Sequence, residues 1–346
     1  LQWKNFYSNG VQGGIVPVAA GMALAEKRKG SQAVTIVFIG DGTLGEGAVY
    51  EALNMASLWN APILFVVENN RIAQTTSVVQ ALAGNISARF TAFGIPVEEL
   101  DSSDVLEILP VAGRLLDEVR SQSAPRALVL HTCRFGPHSK GDDTRPADEI
   151  ARLRQQRDPL MLHAARLDAA ERLAIETEVD AAIEQAYRQA LEDPFTELDH
   201  TAYNALHANS AVQSMEYVAP GPSRSVLEAL NHALHKAMTD DSRVLLLGED
   251  ILDPYGGAFK VSRGLSSAFP ERVQTTPISE AGFTGLATGM ALRGLRPVVE
   301  NMFGDFVTLI ADQVINHAAK FAWMYSGNKT PDEQVKVPLV IRAPMG

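Results

Sequence analysis

The chain has 346 residues, 46% of them apolar, and a formal net charge of −11 with an isoelectric point near 5.2. An acidic chain without a block of basic residues does not favour a nucleic-acid surface, and no apolar run reaches the length of a membrane span. The single cysteine, Cys133, excludes an internal disulfide framework and fits a reducing compartment, so a cytoplasmic protein with two domain cores is expected.

The first 30 residues predict a loop followed by a helix. The opening shows no signal-peptide pattern, and Leu1 in place of Met suggests a trimmed chain. Residues 9–14 form a Gly-rich loop. A helix is predicted from about Val16 to Lys27, and its small residues allow tight packing against a sheet; they are Ala19, Ala20, Gly21, Ala23 and Ala25.

Residues 33–70 are the most informative stretch and predict one βαβ unit. The apolar, β-branched run from Ala33 to Ile39 predicts a strand buried on both faces. A helix from about Gly47 to Trp59 and a second buried strand, Ile63 to Val67, follow it. The unit therefore places a turn and a loop at the carboxyl ends of two strands, where open α/β sheets bind ligands.

The turn after the first strand carries residues suited to a metal and a phosphate. Gly40 and Gly42 let the backbone approach a bulky anion, and the next helix points its free N–H groups at the same place. Asp41 adds a carboxylate oxygen and Asn70 an amide oxygen, which suit Mg²⁺ shared with a phosphorylated partner. Taken alone, however, a Gly-Asp-Gly turn is better explained as a plain strand ending, and the two asparagines as a surface loop.

The distance between the two motifs favours the functional interpretation. Gly-Asp-Gly at 40–42 and Asn-Asn at 69–70 are separated by 26 residues, 43 to 68, and this pattern resembles the thiamine diphosphate signature. The resemblance implies that the side chains of Asp41 and Asn70 and the backbone carbonyl of Ile72 hold the metal. It also implies cofactor contacts from the turn and from the loop at 9–14, made by Gly40, Gly42, Thr43, Gly10 and Gln12.

A long loop, a helix and a strand are predicted before the next motif. Residues 71–95 form a long loop with short helical pieces, functional or interfacial because of its length. Residues 101–104 supply an N-cap for a helix that reaches about Ser121. Arg126 to Thr132 is another buried strand.

The loop at residues 133–145 follows that strand and is polar and rich in Gly and Asp. His138 could donate to a phosphate or substrate oxygen and shuttle a proton, or it could be a solvated loop histidine. The loop resembles that of the decarboxylating component of 2-oxo acid dehydrogenase complexes, whose histidine lies over the cofactor, which implies a catalytic role for His138. Ser139 matches the serine phosphorylated in mitochondrial forms, but Pro137 departs from the family pattern and speaks against regulation by phosphate here.

Residues 146–222 predict helices and then a linker. Pro146 can start the first helix, and Asp168 caps a long second one to Leu191 whose apolar face predicts structural packing. Pro194 to Pro222 contains three prolines and few periodic apolar residues, which is typical of a linker.

From residue 223 the alternation of helix and strand restarts. A helix is predicted over about Ser225 to Met238, then a strand from Val244 to Leu247 that ends in Gly-Glu-Asp. A strand from Pro338 to Arg342 closes the chain. No close sequence repeat joins the halves, but their architecture looks duplicated.

Glu280 begins a Gly- and Ala-rich helix in this second half. It can simply be a first-turn charge that stabilises the helix dipole. Alternatively, a carboxyl group in an apolar pocket can share a proton with a ring nitrogen. The sequence here, TPISEAGF, resembles the pyrimidine-binding half of the same family, which implies that Glu280 activates the pyrimidine ring, that Phe306 packs on it and that Glu249 lies nearby. A core phenylalanine is an ordinary alternative for Phe306.

The resemblance covers nearly the whole chain. Residues 1–205 resemble the α component as a diphosphate-binding domain, residues 206–222 form the linker, and residues 223–346 resemble the front half of the β component as a pyrimidine-binding domain. An α/β fold of two doubly wound, transketolase-like thiamine diphosphate-binding domains is expected. Since the family's components extend beyond both ends of this chain and are usually separate, a fused polypeptide or a fragment of one is expected.

By resemblance, the expected activity is oxidative decarboxylation of a 2-oxo acid, with thiamine diphosphate and Mg²⁺ as cofactors and acyl transfer, assisted by His138, to the lipoyl group of a partner acyltransferase. Family sites form between subunits, so a homodimer or larger oligomer is expected. Two alternatives stay open. One is a transketolase-like carbon–carbon ligase, whose pattern lacks the HSKGDD and TPISEAGF motifs; the other is a non-catalytic assembly protein that retains the fold.

Overall fold

The computed structural model describes residues 5–195, 225–326 and 334–345. The chain divides into two compact units, one made of Leu1–Pro159 with Ser225–Gly346 and one of Leu160–Arg224. The predicted linker at 206–222 lies outside the described residues. Over the three described ranges, no helix combines the length and the apolar character that crossing a membrane requires.

The first sheet of the larger unit is parallel and has four strands. Its strands are β1 (Thr35–Gly40), β2 (Ile63–Asn69), β5 (Val97–Leu100) and β6 (Arg126–His131), and a separate antiparallel pair is formed by β3 (Ile72–Ala73) and β4 (Thr76–Ser77). The order across the sheet is β1-β2-β6-β5. Ile39 is in register with Val67, which is in register with Val129, so the carboxyl ends of β1, β2 and β6 lie side by side.

The helices of the first half begin and end close to where the sequence predicts them. They are α1 (Ile15–Arg28), α2 (Gly47–Leu58), α3 (Val78–Ala81), α4 (Ile86–Thr91), α5 (Val105–Gln122) and α6 (Ala147–Arg157), with a 3₁₀ helix at Asp41–Gly45. The predicted N-cap of α5 is confirmed, because the Asp104 side chain accepts a hydrogen bond from the backbone N–H of Leu106 at 3.0 Å. Pro146 directly precedes α6, as predicted.

The environment of β1 corrects the prediction of a strand buried on both faces. Val37 and Ile39 are buried, whereas Ile36 is 41% and Phe38 is 61% exposed. β1 is the outer strand of its sheet, and α5 covers the corresponding face only at β2 and β6, where its core contacts are Leu64, Val66, Leu128 and Leu130. The apolar run in the sequence does not distinguish an outer strand from a central one.

The second half, like the first, contains a four-stranded parallel sheet, but its strand order is different. Its strands β7 (Val244–Gly248), β8 (Val273–Thr275), β9 (Arg296–Glu300) and β10 (Val340–Arg342) form a parallel sheet in the order β10-β9-β7-β8. Two helices, α7 (Pro159–Ala164) and α8 (Ala169–Glu192), precede this half in the chain. The helices of the second half are α9 (Val226–Asp240), α10 (Leu265–Ala268), α11 (Glu280–Leu292) and α12 (Lys320–Ser326). It also contains a 3₁₀ helix at Gly304–Ile310 and a π-helix at Gln313–Ala319.

The two sheets share one core through α1 and α11. A Cβ on Gly21 would overlap the backbone carbonyl of Leu286, and a Cβ on Gly289 would overlap that of Val18, so the helices cross at a distance that only glycine permits. The core contains inward residues of both sheets, among them Phe65 of β2, Val129 of β6, Leu247 of β7 and Val299 of β9. The outward faces pack on α5 and α9, which gives each sheet helices on both sides and confirms the doubly wound fold.

The smaller unit contains the long helix α8. Asp168 caps it as predicted, since its side chain accepts from the backbone N–H groups of Ala170 and Glu171. The apolar side chains that were expected to pack are exposed instead, with Leu173 at 65% and Ile183 at 63%. Within the described residues α8 is supported by its cap and by ion pairs one turn apart, Arg172–Glu176 and Arg188–Glu184, not by a core.

Candidate active site

Asp41 occupies the carboxyl end of β1, at the first position of the 3₁₀ helix. Its side chain is 2% exposed and accepts a hydrogen bond from the backbone N–H of Asn70. Burial raises the pKa of Asp41, and the positive charge of Arg134 opposes that rise. Oδ2 of Asp41 has no hydrogen-bond partner among the described residues. A buried carboxylate oxygen in that state is unfavourable, and a bound cation would satisfy it.

Asn70 lies one residue beyond β2, and its backbone N–H donates to Asp41. Its Oδ1 accepts from the backbone N–H of Ile72 at 3.0 Å, which folds the chain back and places Ile72 beside it. An amide oxygen has two acceptor positions, so one remains for a metal. The preceding residue, Asn69, has a different role: its Nδ2 lies 3.0 Å from Nδ1 of His131, which fastens β2 to β6.

The Gly-rich loop at 9–14 contacts the turn at residues 40–45, which contains the predicted metal ligand Asp41 and is called the metal turn below. Oγ1 of Thr43 donates to Oε1 of Gln12 at 3.0 Å, so two of the predicted cofactor-binding residues are in contact. Gly42 packs on Ala73, where an added Cβ would come within 2.6 Å of the alanine Cβ. Gly40 and Gly10 face open space instead, and Gly10 is exposed.

Three carboxylates lie together at the N-terminus of α11. Glu280 is its first residue, Glu249 follows β7 and is 7% exposed, and Glu51 comes from α2. Oε2 of Glu51 accepts from the backbone N–H of Gly282 at 2.7 Å. Glu249 accepts from the backbone N–H of Ser279, and its Oε1 has no partner within the described part of the chain.

The carboxylates of this cluster perturb one another. Burial raises the pKa of Glu249 to about 7, and the negative charges of Glu280 and Asp250 add to the shift. Burial likewise raises the pKa of Glu51, while the N–H of Gly282 opposes the rise and Glu280 contributes to it. Because these carboxylates lie close together and repel one another when ionised, the cluster can hold a proton at neutral pH.

The metal turn and the carboxylate cluster are linked by α2. This helix begins two residues after the 3₁₀ helix of Asp41 and carries Glu51 onto the first turn of α11. Sequence reasoning assigned α2 to packing and its N-terminus to the anion site, and it missed Glu51. The available signal was a carboxylate one turn before Met55, a fully buried residue on the same helix.

Phe306 lies on the 3₁₀ helix that follows β9 and is partly exposed. It packs edge-on against Phe303 with 5.4 Å between ring centroids, and Phe303 packs in the same way on Phe259 at 5.8 Å. The ring therefore belongs to an aromatic cluster at the surface of the second half and not to the buried core.

His138 is exposed in the loop at 133–145, and the structure does not bring it to the metal turn. Arg145 shapes this loop: it donates to the backbone carbonyl of Arg134, and its hydrogen bond lowers the pKa of Asp143 to about 2. A cavity of about 430 Å³ at the carboxyl ends of β2 and β6 is lined by Asn70, Ile72 and Arg134 but not by His138.

Two parallel α/β halves, one ending in a carboxylate–amide corner and the other in a buried carboxylate cluster, define a protein with the transketolase-like thiamine diphosphate-binding fold. Residues 3–203 match the family model described as the dehydrogenase E1 component, and residues 223–327 match the pyrimidine binding domain of transketolase. The chain belongs to the dehydrogenase E1 component family. Members of this family depend on thiamine diphosphate.

Curated relatives match the chain in two groups. The pyruvate dehydrogenase E1 component subunit alpha of Rhizobium meliloti is 38% identical over 168 residues, covering 47% of this chain and 48% of its own length. The human somatic mitochondrial alpha subunit is 36% identical over 211 residues, 58% of this chain and 54% of its own. The beta-2 subunit of rice mitochondria is 46% identical over 140 residues, 40% of this chain and 35% of its own. The chain thus spans about half the length of the alpha relatives and about a third of the beta relative.

Proposed function

We propose that this chain is a thiamine diphosphate- and Mg²⁺-dependent decarboxylating component of a 2-oxo acid dehydrogenase complex, with α-like and β-like parts in one polypeptide. It acts on a 2-oxo acid and passes the acyl unit to the lipoyl group of a partner acyltransferase. The observation that supports this most is the buried, unpartnered Oδ2 of Asp41 beside Asn70. The carboxylate oxygen of Asp41 and the side-chain amide oxygen of Asn70 are ligands that fit a hard divalent cation.

The residues present fit the implied cofactor. Asp41, Asn70 and the carbonyl of Ile72 hold the metal, while the turn residues Gly40, Gly42 and Thr43 receive the diphosphate. Gly10 and Gln12 contact the ring from the adjoining loop, and Phe306 packs on it. Thiamine diphosphate, when bound, supplies the carbon nucleophile that makes decarboxylation of a 2-oxo acid possible.

The chain's own carboxylates manage the proton in this scheme. Glu280 shares a proton with the pyrimidine ring from the first position of α11. The buried Glu249 lies close enough for the negative charge of Glu280 to raise its pKa, which favours a protonated carboxyl group in the cluster. His138, on its exposed loop, assists acyl transfer. The assembly is a homodimer or a larger oligomer.

Calorimetric titration of the full chain with thiamine diphosphate, with Mg²⁺ and then with EDTA in place of Mg²⁺, tests the proposal. Saturable binding that requires the metal, together with 2-oxo acid decarboxylation measured with a dye acceptor, is expected. Turnover of sugar phosphates without 2-oxo acids would instead identify a carbon–carbon ligase. No binding and no turnover would contradict the proposal and favour an assembly protein.

A further inference from the structure

Two polar side chains on the π-helix are fully buried and incompletely bonded. Gln313 and His317 are both 0% exposed. Within the described part of the chain, Oε1 of Gln313 and Nε2 of His317 have no hydrogen-bond partner. π-helical turns are rare and occur frequently at functional sites. Neither residue belongs to the metal turn or to the carboxylate cluster.

Both side chains reach Gly14, the last residue of the loop at 9–14. Nε2 of Gln313 donates to the backbone carbonyl of Gly14 at 3.3 Å. The imidazole of His317 lies against the Gly14 Cα: a Cβ there would overlap its Cε1 and come within 2.8 Å of its Nε2. Gly285 of α11 makes room in the same way, because a Cβ at that position would overlap Oε1 of Gln313.

The loop at 9–14 is therefore anchored at two points. Thr43 of the metal turn holds Gln12, and the π-helix of the second half holds Gly14. Between the anchors the backbone closes on itself, with the N–H of Gly14 donating to the carbonyl of Gln12 at 2.8 Å. Gly10 and Gln12 are otherwise exposed, so the conformation of the loop depends on its anchors.

Stability alone does not explain these residues. A buried acceptor without a partner carries a desolvation cost, which an apolar side chain of similar shape would avoid. Burial also lowers the pKa of His317, although the nearby charge of Asp312 opposes this shift. A polar pair kept at that cost, and aimed at a loop rather than at the core, fits a role in placing the loop.

We propose that Gln313 and His317 are positioning residues, which hold Gly14 from the second half and so keep the loop at 9–14 in its ligand-ready conformation. The identity of the ligand rests on the proposed function; the placement of the loop does not. The conformation of the loop at 9–14 thus depends on Gln313, which lies 299 residues after Gly14 in the chain.

Replacement of Gln313 by methionine separates positioning from packing. Gln313→Met keeps the volume but removes both the donor to Gly14 and the unpartnered acceptor, so the melting temperature is expected to stay the same or rise. Hydrogen exchange of residues 9–16 without cofactor is expected to accelerate, and the Kd for thiamine diphosphate with Mg²⁺ to increase roughly threefold to tenfold. Ile315→Met, on the exposed face of the same helix, is the matched control and leaves both quantities unchanged.

A double-mutant cycle tests the contact with His317. Gly14→Ala introduces the overlap with the imidazole and is expected to accelerate exchange of the loop and weaken cofactor binding. Adding His317→Ala removes the ring and is expected to restore part of both losses, because the two residues are in contact and their effects do not add. Independent losses in the double variant would contradict the proposal.

Two results would overturn the inference. One is a Gln313→Met variant with the loop exchange and the affinity of the wild type; the other is a lower melting temperature with unchanged loop exchange, which indicates a packing role only. If the wild-type chain does not bind thiamine diphosphate, the proposed function fails, while loop exchange in the same variants still decides the positioning role.

Discussion

Asp41 and Glu249 each follow the first strand of their half of the chain and yet have surroundings of opposite charge. Asp41 follows β1, an outer strand of its sheet, and Glu249 follows β7, an inner strand; each has one buried carboxylate oxygen without a partner in the described structure. Asp41 has the amide of Asn70 and the positive charge of Arg134 nearby. Glu249 has the negative charges of Glu280 and Asp250.

This difference in neighbours suits the two carboxylates to different chemistry. An unpartnered carboxylate oxygen beside a backbone N–H donor and a positive charge, both of which favour its charged form, is suited to bind a metal ion. An unpartnered carboxylate oxygen among other carboxylates is suited to hold a proton. Under the proposed function, the first carboxylate site serves a phosphorylated cofactor tail and the second a titrating ring.

The largest expected effect that tests this comparison comes from Glu280. Glu280→Gln keeps the size of the side chain but removes its capacity to share a proton. Decarboxylation of a 2-oxo acid, measured with a dye acceptor, is expected to fall by roughly a hundredfold to ten-thousandfold, while calorimetric affinity for thiamine diphosphate changes less than about threefold.

The exposed Glu271→Gln provides the matched control and should retain activity. A parallel loss of affinity and activity in Glu280→Gln would show that the second site binds rather than titrates, which would remove the contrast with Asp41.

The converse pattern is expected at Asp41. Asp41→Asn removes the charge that binds the metal, and affinity for thiamine diphosphate with Mg²⁺ should fall more than about a hundredfold, since even partners of metal ligands are worth roughly 10–100-fold. The melting temperature of the cofactor-free protein should not fall, because the substitution removes a buried charge whose Oδ2 has no hydrogen-bond partner in the described structure. Asp117→Asn, at a side chain that is 81% exposed, is the control. Metal-dependent binding that survives in Asp41→Asn would place the metal elsewhere.

The contact between Asp41 and Asn70 could be predicted from the sequence, whereas the carboxylate cluster could be predicted only in part. Asp41 and Asn70 are separated by one helix and one strand, so local periodicity brings them to adjacent strand ends in register. Glu51 meets Gly282 across 231 positions of the chain, and no local pattern specifies that contact. For the same reason, no local pattern predicts the contacts of Gln313 and His317 with Gly14, which depend on glycines that leave space for the two side chains.

The surroundings of β1 and α8 show a second limit. Their apolar residues have the spacing of a buried strand and of a packed helix, yet Phe38 and Leu173 are exposed. Periodicity predicts which residues share a face of an element, but whether another element covers that face depends on the order of strands and on tertiary packing.

The pH dependence of stability provides a smaller test of the second site. The pKa of Glu249 is about 7 in the folded chain and has an ordinary value of 4.5, so at intermediate pH the folded state holds a proton that the unfolded state releases. Stability therefore falls as pH rises from the ordinary value through the folded value. Glu249→Gln should remove this slope and be more stable than the wild type above about pH 7, by about 1–3 kcal/mol.

Urea unfolding of both proteins, from about pH 5 to about pH 8, measures that difference. The other raised carboxyl groups, Asp41 and Glu51, are common to both proteins, so their contributions largely cancel in the comparison. Curves that stay parallel over the whole range would mean that Glu249 is ionised in the folded chain, as an ordinary carboxylate would be.

The smallest expected effect is at Thr43, which connects the turn of Asp41 to the loop at 9–14. Thr43→Val keeps the shape of the side chain but removes the hydrogen bond to Gln12. Because Gln12 is exposed, water can replace the lost donor, and the Kd for thiamine diphosphate should increase only about twofold to fivefold. Thr239→Val, on the exposed face of α9, is the control. The buried anchor at Gln313 has no such replacement, so a larger loss in Thr43→Val than in Gln313→Met would reverse the expected ranking and assign control of the loop to the metal turn.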